Sequence, residues 1–408
     1  MPSQQQLEQY AEILIRAGLN VQPNQPVSIQ SPLETAEFAR IVMRKAYEAG
    51  ASTVDIEWGD PLARVIRLEE EKDEYLVQVP EWLIQRRQEK CDKNTAFLNI
   101  YSENPDLLSH IHPDRVNKYQ SALGKAFKEV QEYFMEDRVT WLVCSLPTQD
   151  WAQKMFPEAT PDRAMQQLWD AIFTTMRMNE PNPVAALADH IQNLENRARW
   201  LNELKLAKLH YTGPGTDLTV ELPELHSWLA ASSTNERGTP FVANLPTEEV
   251  YTLPHRDGIN GVVSSTMPLA YAGVVIEGIR LTFEKGRVVD FSSKTGYDTL
   301  KGLIETDEGS RSLGEIALVP VDSPISRLKT LFFNTLFDEN ASCHLALGMA
   351  YPTCLQGGRD MTREELNELG VNDSVIHEDF MVGSEDLDID GIRADGSVVP
   401  IFRRGNWA

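Results

Sequence analysis

The chain has 408 residues, of which 42% are hydrophobic and 24% are charged, and its formal net charge is −23. This length exceeds what one hydrophobic core usually holds, so two domains are expected. A protein that follows nucleic-acid phosphates needs a basic face, and no sufficiently large cluster of lysine and arginine is present. Nucleic acid is therefore excluded as a partner, and the acidity is explained by solubility or by a cavity that binds cations or amines.

The sequence favours a soluble protein of the cytoplasm. The N-terminus lacks the basic and apolar regions of a signal peptide. The most apolar run, residues 267–276, is too short to span a bilayer, so no membrane partner is expected. The four cysteines, Cys91, Cys144, Cys343 and Cys354, have no disulfide spacing, which fits a reducing compartment.

Helical and strand patterns alternate in the first half of the chain. Helices are predicted at residues 7–17, 38–46, 82–92, 113–134, 162–176 and 184–206. Strands are predicted at residues 26–30, 52–58, 95–101 and 139–145. This alternation predicts an α/β domain with a mainly parallel sheet. No phosphate-loop or dinucleotide-binding motif occurs here, so this half is interpreted as a scaffold.

The pattern changes after about residue 206. From Leu209 onward, short β-prone runs are separated by tight-turn sequences such as Glu-Lys-Gly-Arg (residues 284–287), which predict hairpins. The expected fold class is therefore α/β, with an N-terminal α/β scaffold domain (1–206) and a second domain (207–408). The second domain is expected to be a mixed, largely antiparallel α+β catalytic domain.

Four segments of the second half carry carboxylates and imidazoles in apolar or Gly/Pro-rich surroundings. They are Asn-Leu-Pro-Thr-Glu-Glu-Val (244–250), Ser-Leu-Gly-Glu (312–315), residues 337–351 and His-Glu-Asp-Phe-Met-Val-Gly (377–383). Zn²⁺, Co²⁺ and Mn²⁺ take oxygen and imidazole-nitrogen ligands of this kind. The four segments together favour a two-metal hydrolase.

His377 and Asp379 are two residues apart in an extended segment, so both side chains are expected on one face of a strand. The competing interpretation is a surface turn, because polar residues 372–374 lie just upstream. His344 is followed by a small apolar run, which by itself is more typical of a core histidine. Two carboxylates within six residues favour a ligand instead.

Glu249 and Glu315 each follow a turn, and an isolated glutamate is usually solvated. Glu248 competes with Glu249, because neighbouring residues of a strand face opposite sides and only one of them can point inward. Tyr351 closes the small apolar run, and ordinary packing with the hydroxyl group at the surface explains it equally well.

These segments together resemble the M29 family of metallo-aminopeptidases, the thermophilic aminopeptidase or PepS/AmpS type. The resemblance rests on residues 244–251, Leu-Gly-Glu (313–315), Asp-Glu-Asn-Ala-Ser-Cys-His-Leu-Ala-Leu-Gly (338–348), Tyr351 and His-Glu-Asp (377–379). The spacing of the segments agrees as well, and this register selects Glu249 over Glu248. Weaker likeness extends through the N-terminal half, so the resemblance covers nearly the whole chain.

The resemblance implies two divalent metal ions per chain, which are zinc, cobalt or manganese. The implied ligands are Glu249, Glu315, Glu339, His344, His377 and Asp379. Glu315 would bridge the two metals, and Tyr351 matches the catalytic tyrosine of the family. The family also implies an N-terminal α/β domain, a C-terminal catalytic domain and a homodimer around an enclosed cavity.

The expected function is that of a cytoplasmic aminopeptidase, which removes N-terminal residues from peptides with a free N-terminus. A bound metal can lower the pKa of water to about 7, and this water attacks the peptide carbonyl. Tyr351 would stabilise the tetrahedral intermediate, an effect of about 3 kcal/mol for single donors. Either Glu315 or Glu339 would carry the proton to the leaving amine.

Two other interpretations are open. A two-metal dipeptidase, carboxypeptidase or amidohydrolase would use the same ligands, although a carboxypeptidase also needs an Arg or Lys for the substrate carboxylate. A metal-stabilised binding protein without activity would need closed four-coordinate sites, to which an oxygen-rich ligand set with a tyrosine is poorly suited.

Overall fold

The computed structural model describes residues 1–102, 104–271 and 274–408. The chain divides into two compact units. The first contains Met1–Asp189 and Ser232–Pro246, and the second contains His190–Ala231 and Thr247–Ala408. The predicted domain boundary near residue 206 falls between a long helix and the following strand. That division into domains stays a prediction.

The α-helices occur throughout the chain. They are α1 (Gln4–Glu12), α2 (Ala36–Glu48), α3 (Pro61–Glu70), α4 (Asp73–Leu76), α5 (Glu81–Asp92), α6 (Pro113–Ala126), α7 (Lys128–Met135), α8 (Gln149–Met155), α9 (Pro161–Thr175), α10 (Pro183–Leu204), α11 (Tyr297–Ile304), α12 (Pro324–Arg327), α13 (Thr335–Asp338) and α14 (Arg363–Glu368). A π-helix covers Ile13–Gly18, and 3₁₀ turns cover Leu33–Thr35, Gly309–Arg311, Glu339–Ala341, Pro352–Cys354 and Gly358–Asp360. Among the described residues, no helix is long and apolar enough to cross a bilayer.

The strands are concentrated in the second half. They are β1 (Val27–Pro32), β2 (Val54–Gly59), β3 (Ala96–Ile100), β4 (Trp141–Cys144), β5 (Leu206–Gly213), β6 (Thr216–Glu221), β7 (Ser232–Thr234), β8 (Pro240–Val242), β9 (Val250–Thr252), β10 (Ile259–Ser264), β11 (Leu269–Tyr271), β12 (Val274–Ile276), β13 (Arg280–Glu284), β14 (Arg287–Ser292), β15 (Leu313–Leu318), β16 (His344–Gly348), β17 (His377–Met381), β18 (Asp388–Arg393), β19 (Val398–Arg403) and β20 (Asn406–Trp407).

The first unit contains a parallel sheet in the order β2-β1-β3-β4. Each of its strands overlaps a predicted strand, which confirms the α/β class. The predicted helix at 113–134 is divided into α6 and α7 at Phe127, and the helix predicted at 7–17 continues from α1 into the π-helix. Helix α3 was not predicted, although Asp60 accepts hydrogen bonds from its first turn and Pro61 opens it.

Among its described residues, the second unit contains an eight-stranded and a four-stranded antiparallel sheet besides the antiparallel pair of β11 and β12, which confirms the largely antiparallel class. The larger sheet has the order β14-β13-β10-β6-β5-β18-β19-β20, and the smaller has the order β17-β16-β15-β9. One apolar core includes residues of both sheets and of α10. Since this core receives only one face of the smaller sheet, the other face is free to carry polar side chains.

Candidate metal centre

Strand β16 has one apolar face and one face of small and ionisable residues. Its sequence is His-Leu-Ala-Leu-Gly, and all five residues are buried. Leu345 and Leu347 belong to the apolar core. Because successive side chains of a strand alternate, His344, Ala346 and Gly348 lie on the opposite face.

The antiparallel register aligns the candidate ligands of three strands on that face. Glu315 of β15 is opposite Ala346, and Ala346 is opposite Asp379 of β17. His344 and His377 lie two residues from Ala346 and Asp379 along their strands. Residues that are paired directly across a sheet share a face, so the four ionisable side chains project from one surface. The expectation that His377 and Asp379 lie in a strand is confirmed.

Small residues separate these side chains. Ala346 is 0% exposed and stands between the strands of Glu315 and Asp379. Ala317 is paired with His344, and a glycine, Gly348, is paired with His377. The floor of the site therefore consists of methyl groups and backbone, which leaves space above it for the ligand groups.

A bulge at Gly314 sets the direction of the Glu315 side chain. The register between β15 and β16 shifts between Leu313 and Glu315. A Cβ atom at Gly314 would lie 2.2 Å from the carbonyl oxygen of Met349, so only glycine permits this close approach. Bulges of this kind redirect a side chain, and here the redirected side chain is the central carboxylate.

Two overlapping groups of ligand atoms are present on this face. The first contains Glu249, Glu315 and His344, and the second contains Glu315, His377 and Asp379, with the atoms of each group within 4.8 Å of one another. His344 Nε2 lies 3.1 Å from Glu249 Oε2 and 3.8 Å from Glu315 Oε1. His377 Nε2 lies 3.3 Å from Glu315 Oε2. Glu315 therefore turns one oxygen toward each histidine.

Backbone hydrogen bonds orient both imidazoles. His344 Nδ1 donates to the carbonyl oxygen of Ser342 at 3.1 Å, and His377 Nδ1 donates to that of Met349 at 2.7 Å. A carbonyl oxygen only accepts, so Nδ1 carries the hydrogen and Nε2 of the neutral ring is left with a lone pair. Each Nε2 faces the carboxylates, so it can bind a metal once its own proton has left, as in metal-binding histidines.

Glu339 belongs to neither group of ligand atoms. It is half-buried, and its Oε1 accepts a hydrogen bond from Asn340 Nδ2 at 3.3 Å. Burial, together with the charges of Asp379 and Glu249, raises the pKa of Glu339 well above its usual value. Glu339 is therefore electrostatically part of the site, although the structure does not bring it as close as the other candidates.

Tyr351 lies beside the second group. Its ring centroid is 4.9 Å from that of His377 and 6.2 Å from that of Tyr251. Burial raises the pKa of Tyr351 well above its usual value, and the charges of Glu315 and Asp379 raise it further. The phenol therefore keeps its proton at neutral pH and can donate a hydrogen bond.

The prediction that only one of Glu248 and Glu249 points inward is wrong. Glu248 is 3% exposed and Glu249 is 8% exposed. Both precede β9, which begins at Val250, so the alternation of a strand does not apply to them. Glu248 Oε2 lies 3.5 Å from His190 Nε2 of α10, whereas Glu249 approaches His344. The two neighbouring carboxylates thus take part in different contacts.

The charges of the site fit divalent cations. Burial alone would lower the pKa of His377, but the carboxylates of Asp379 and Glu315 outweigh burial and raise it to about 10. Among the described residues, buried Asp379 Oδ1 has no hydrogen-bond donor, and it lies 3.8 Å and 3.9 Å from the Nε2 atoms of His377 and His344. A buried carboxylate oxygen without a donor needs a cation. The residues present therefore fit a metal centre.

Comparison with known proteins agrees with this chemistry. The sequence profile of the family described as thermophilic metalloprotease (M29) matches residues 3–407. The chain belongs to the M29 family. The resemblance inferred from the sequence segments is thereby confirmed.

Relatives of this M29 chain match it over nearly its whole length. Aminopeptidase AmpS of Bacillus subtilis is 48% identical over 99% of this chain and 98% of its own. Aminopeptidase 2 of Geobacillus stearothermophilus is 44% identical, also over 99% and 98%. The solved structure of wild-type AmpT from Thermus thermophilus superposes with a TM-score of 0.93 at 38% identity, covering 99% of each chain.

A more distant structure shares the fold alone. The 2,5-dihydroxypyridine dioxygenase from Pseudomonas putida KT2440 matches with a TM-score of 0.55 at 12% identity, over 100% of this chain and 98% of its own. The fold therefore does not decide the reaction, and the argument for activity has to come from the side chains of the site.

We expect Ala346→Leu to reduce metal binding, because the larger side chain would occupy the space between Glu315 and Asp379. Overpacking at this buried position should cost about 1–3 kcal/mol of the free energy of unfolding. Metal content after dialysis, together with thermal unfolding, measures both effects.

Leu345→Ala on the opposite face of the same strand is the control. It should cost about 2–5 kcal/mol through the cavity that it leaves, while metal content stays that of the wild type. Full metal content in Ala346→Leu would contradict the arrangement described here.

We expect the metal-free protein to release protons when it binds Zn²⁺ at pH 7. A pKa of about 10 keeps His377 protonated at that pH, and a metal must displace this proton to reach Nε2. Calorimetry in buffers of different ionisation enthalpy measures the release, and affinity should fall as the pH is lowered. The control is His110→Ala, because His110 is an exposed histidine of the first unit. This variant should release as many protons as the wild type. A binding heat that does not depend on the buffer would contradict the prediction.

Proposed function

We propose that this chain is an aminopeptidase with two divalent metal ions, held by Glu249, Glu315, Glu339, His344, His377 and Asp379. The main support for two metal ions is the position of Glu315, which belongs to both groups of ligand atoms. A carboxylate with one oxygen directed to each group is suited to bridge two ions. Zinc, cobalt and manganese all accept this mixture of oxygen and nitrogen ligands.

Two properties of the relatives support the aminopeptidase assignment. The family is one of metalloproteases, and the relatives with 48% and 44% identity are named aminopeptidases. When bound, the ions would supply the Lewis acidity that activates water and polarises the scissile carbonyl. Side chains of this protein would perform the remaining steps.

Tyr351 is proposed as the hydrogen-bond donor to the oxyanion of the tetrahedral intermediate. Its ring contacts those of His377 and Tyr251, which supports a preorganised hydroxyl group. A preorganised donor in a site that excludes water stabilises developing charge without reorganisation. The raised pKa of Tyr351 keeps the proton available for this bond.

A carboxylate is proposed to carry the proton from water to the leaving amine. Glu339 and Glu315 are the candidates, and burial raises the pKa of both above the usual value. Glu339 is outside both groups of ligand atoms, so as the less closely held ligand it has more freedom to exchange a proton than Glu315, which contacts both histidines. We therefore favour Glu339 for this role and Glu315 for the bridge.

We further propose that residues 207–408 form the catalytic domain, and that the protein acts as a homodimer in the cytoplasm. The four cysteines are free thiols and buried, which supports a reducing compartment. The homodimer rests on the likeness to the family. Sedimentation of the purified protein measures the oligomeric state, and a monomer at micromolar concentration would contradict the proposal.

The decisive experiment is hydrolysis of leucyl-anilide by the metal-stripped protein during titration with Co²⁺, Zn²⁺ or Mn²⁺. Activity should return with about two ions per chain, because a carboxylate shared by two sites implies a pair of ions. An N-blocked peptide run in parallel should not be cleaved. Cleavage of the blocked substrate alone would favour the alternative of another two-metal amide hydrolase.

We expect Tyr351→Phe to bind metal normally and to lower kcat by about 100- to 1,000-fold, the usual effect of removing one oxyanion donor. The matched control is Tyr211→Phe, which removes a hydroxyl group from the apolar core of the same unit. That control should keep the kcat of the wild type. Equal kcat in both variants would show that Tyr351 only packs.

A further inference from the structure

The side-chain amide of Asn340 joins two segments that carry proposed metal ligands. Asn340 is 0% exposed and lies in the 3₁₀ turn between α13 and β16. Its Oδ1 accepts a hydrogen bond from the backbone nitrogen of Glu248 at 2.7 Å. Its Nδ2 donates to the carbonyl oxygen of Leu336 at 3.0 Å and to Glu339 Oε1 at 3.3 Å.

These bonds fix the chemical identity of the residue. The backbone nitrogen of Glu248 needs an acceptor, and the carboxylate of Glu339 needs a donor. An amide presents one of each on a short, neutral side chain. An aspartate would have the right shape but no donor, and it would place a second negative charge beside Glu339.

The segment that contains Asn340 is anchored on its other side as well. Asp338 accepts hydrogen bonds from the backbone nitrogens of Phe332 at 2.7 Å and Asn334 at 3.1 Å. The turn is therefore held at its base by Asp338, and Asn340 connects it to residue 248. Adjacent to residue 248 is Glu249, whose carboxylate lies 3.1 Å from His344 Nε2.

We propose that Asn340 is a positioning residue of the metal centre: its amide holds the backbone beside Glu249 and the carboxylate of Glu339 in a fixed relation. The inference rests on the proposed function, because it concerns the ligands named there. Without this amide, repulsion between Glu339 and the neighbouring carboxylates of Glu249 and Asp379 favours their separation. Residues that hydrogen-bond metal ligands commonly change affinity by about 10- to 100-fold when they are replaced.

The test compares Zn²⁺ affinity in Asn340→Asp and wild-type protein, by competition with a chelating dye at pH 7. We expect Asn340→Asp to weaken binding by about 10- to 100-fold. Asn202→Asp is the matched control, because Asn202 also accepts from and donates to the backbone, at 2.9 Å each with Trp228, away from the ligands. The control should lose stability in the metal-free form but keep its Zn²⁺ affinity.

A double-mutant cycle with Glu339→Gln separates positioning from general destabilisation. If Asn340 acts through the charge of Glu339, Asn340→Asp should lose less affinity in the Glu339→Gln background than in the wild type. Three results would each overturn the inference. They are equal losses of Zn²⁺ affinity in both backgrounds, wild-type affinity in Asn340→Asp, and a loss in Asn202→Asp equal to that in Asn340→Asp. Circular dichroism of the metal-free proteins checks folding, and Asn340→Ala replaces Asn340→Asp in the cycle if the latter does not fold.

The results for the wild-type protein distinguish failure of this inference from failure of the proposed function. A wild type that binds Zn²⁺ but does not hydrolyse leucyl-anilide refutes the aminopeptidase and leaves the affinity comparison informative. A wild type that binds no Zn²⁺ refutes both. A wild type that binds and hydrolyses, beside an unaffected Asn340→Asp, refutes only the role of Asn340.

Discussion

Repulsion between buried carboxylates is the constraint on which the rest of the second unit depends. Glu249, Glu315 and Asp379 meet in a space that water barely reaches, where like charges repel more strongly than at a surface. In the metal-free chain the two histidines offset part of this charge by holding protons. Metal ions would offset it more completely, so metal binding and the stability of the smaller sheet are linked.

The scaffold meets this constraint mainly with paired strands, although Glu249 lies just before β9. Glu315, His344, His377 and Asp379 lie on paired strands, whose backbone hydrogen bonds prevent the carboxylates from moving apart. The apolar face of the same sheet is packed into a core shared with the larger sheet and α10. The energy that holds like charges together therefore comes from leucine, isoleucine and phenylalanine side chains on the far side of the sheet.

Much of this was predictable from the sequence, and the gaps have physical causes. The α/β and antiparallel halves follow from periodicity, and the candidate ligand residues from their spacing and a family likeness. The alternation of a strand does not predict the burial of Glu248, because β9 begins only at Val250. The alternation in His-Leu-Ala-Leu-Gly contains the signal for the small residues that form the floor of the site. Asn340 was beyond prediction, because its partner Glu248 is 92 residues away in sequence.

The two-residue period of β16 has a consequence for which changes of length this chain can accept. The turn that precedes the strand, residues 339–343, helps to determine which residues of β16 face the apolar core and which face the opposite side. If the loss or gain of one residue there shifted the register of β16 by one, the leucines of this strand would face the proposed metal site and His344 would face the core. A change of length in this turn is therefore compatible with the site only where the turn absorbs it and the register of β16 is kept.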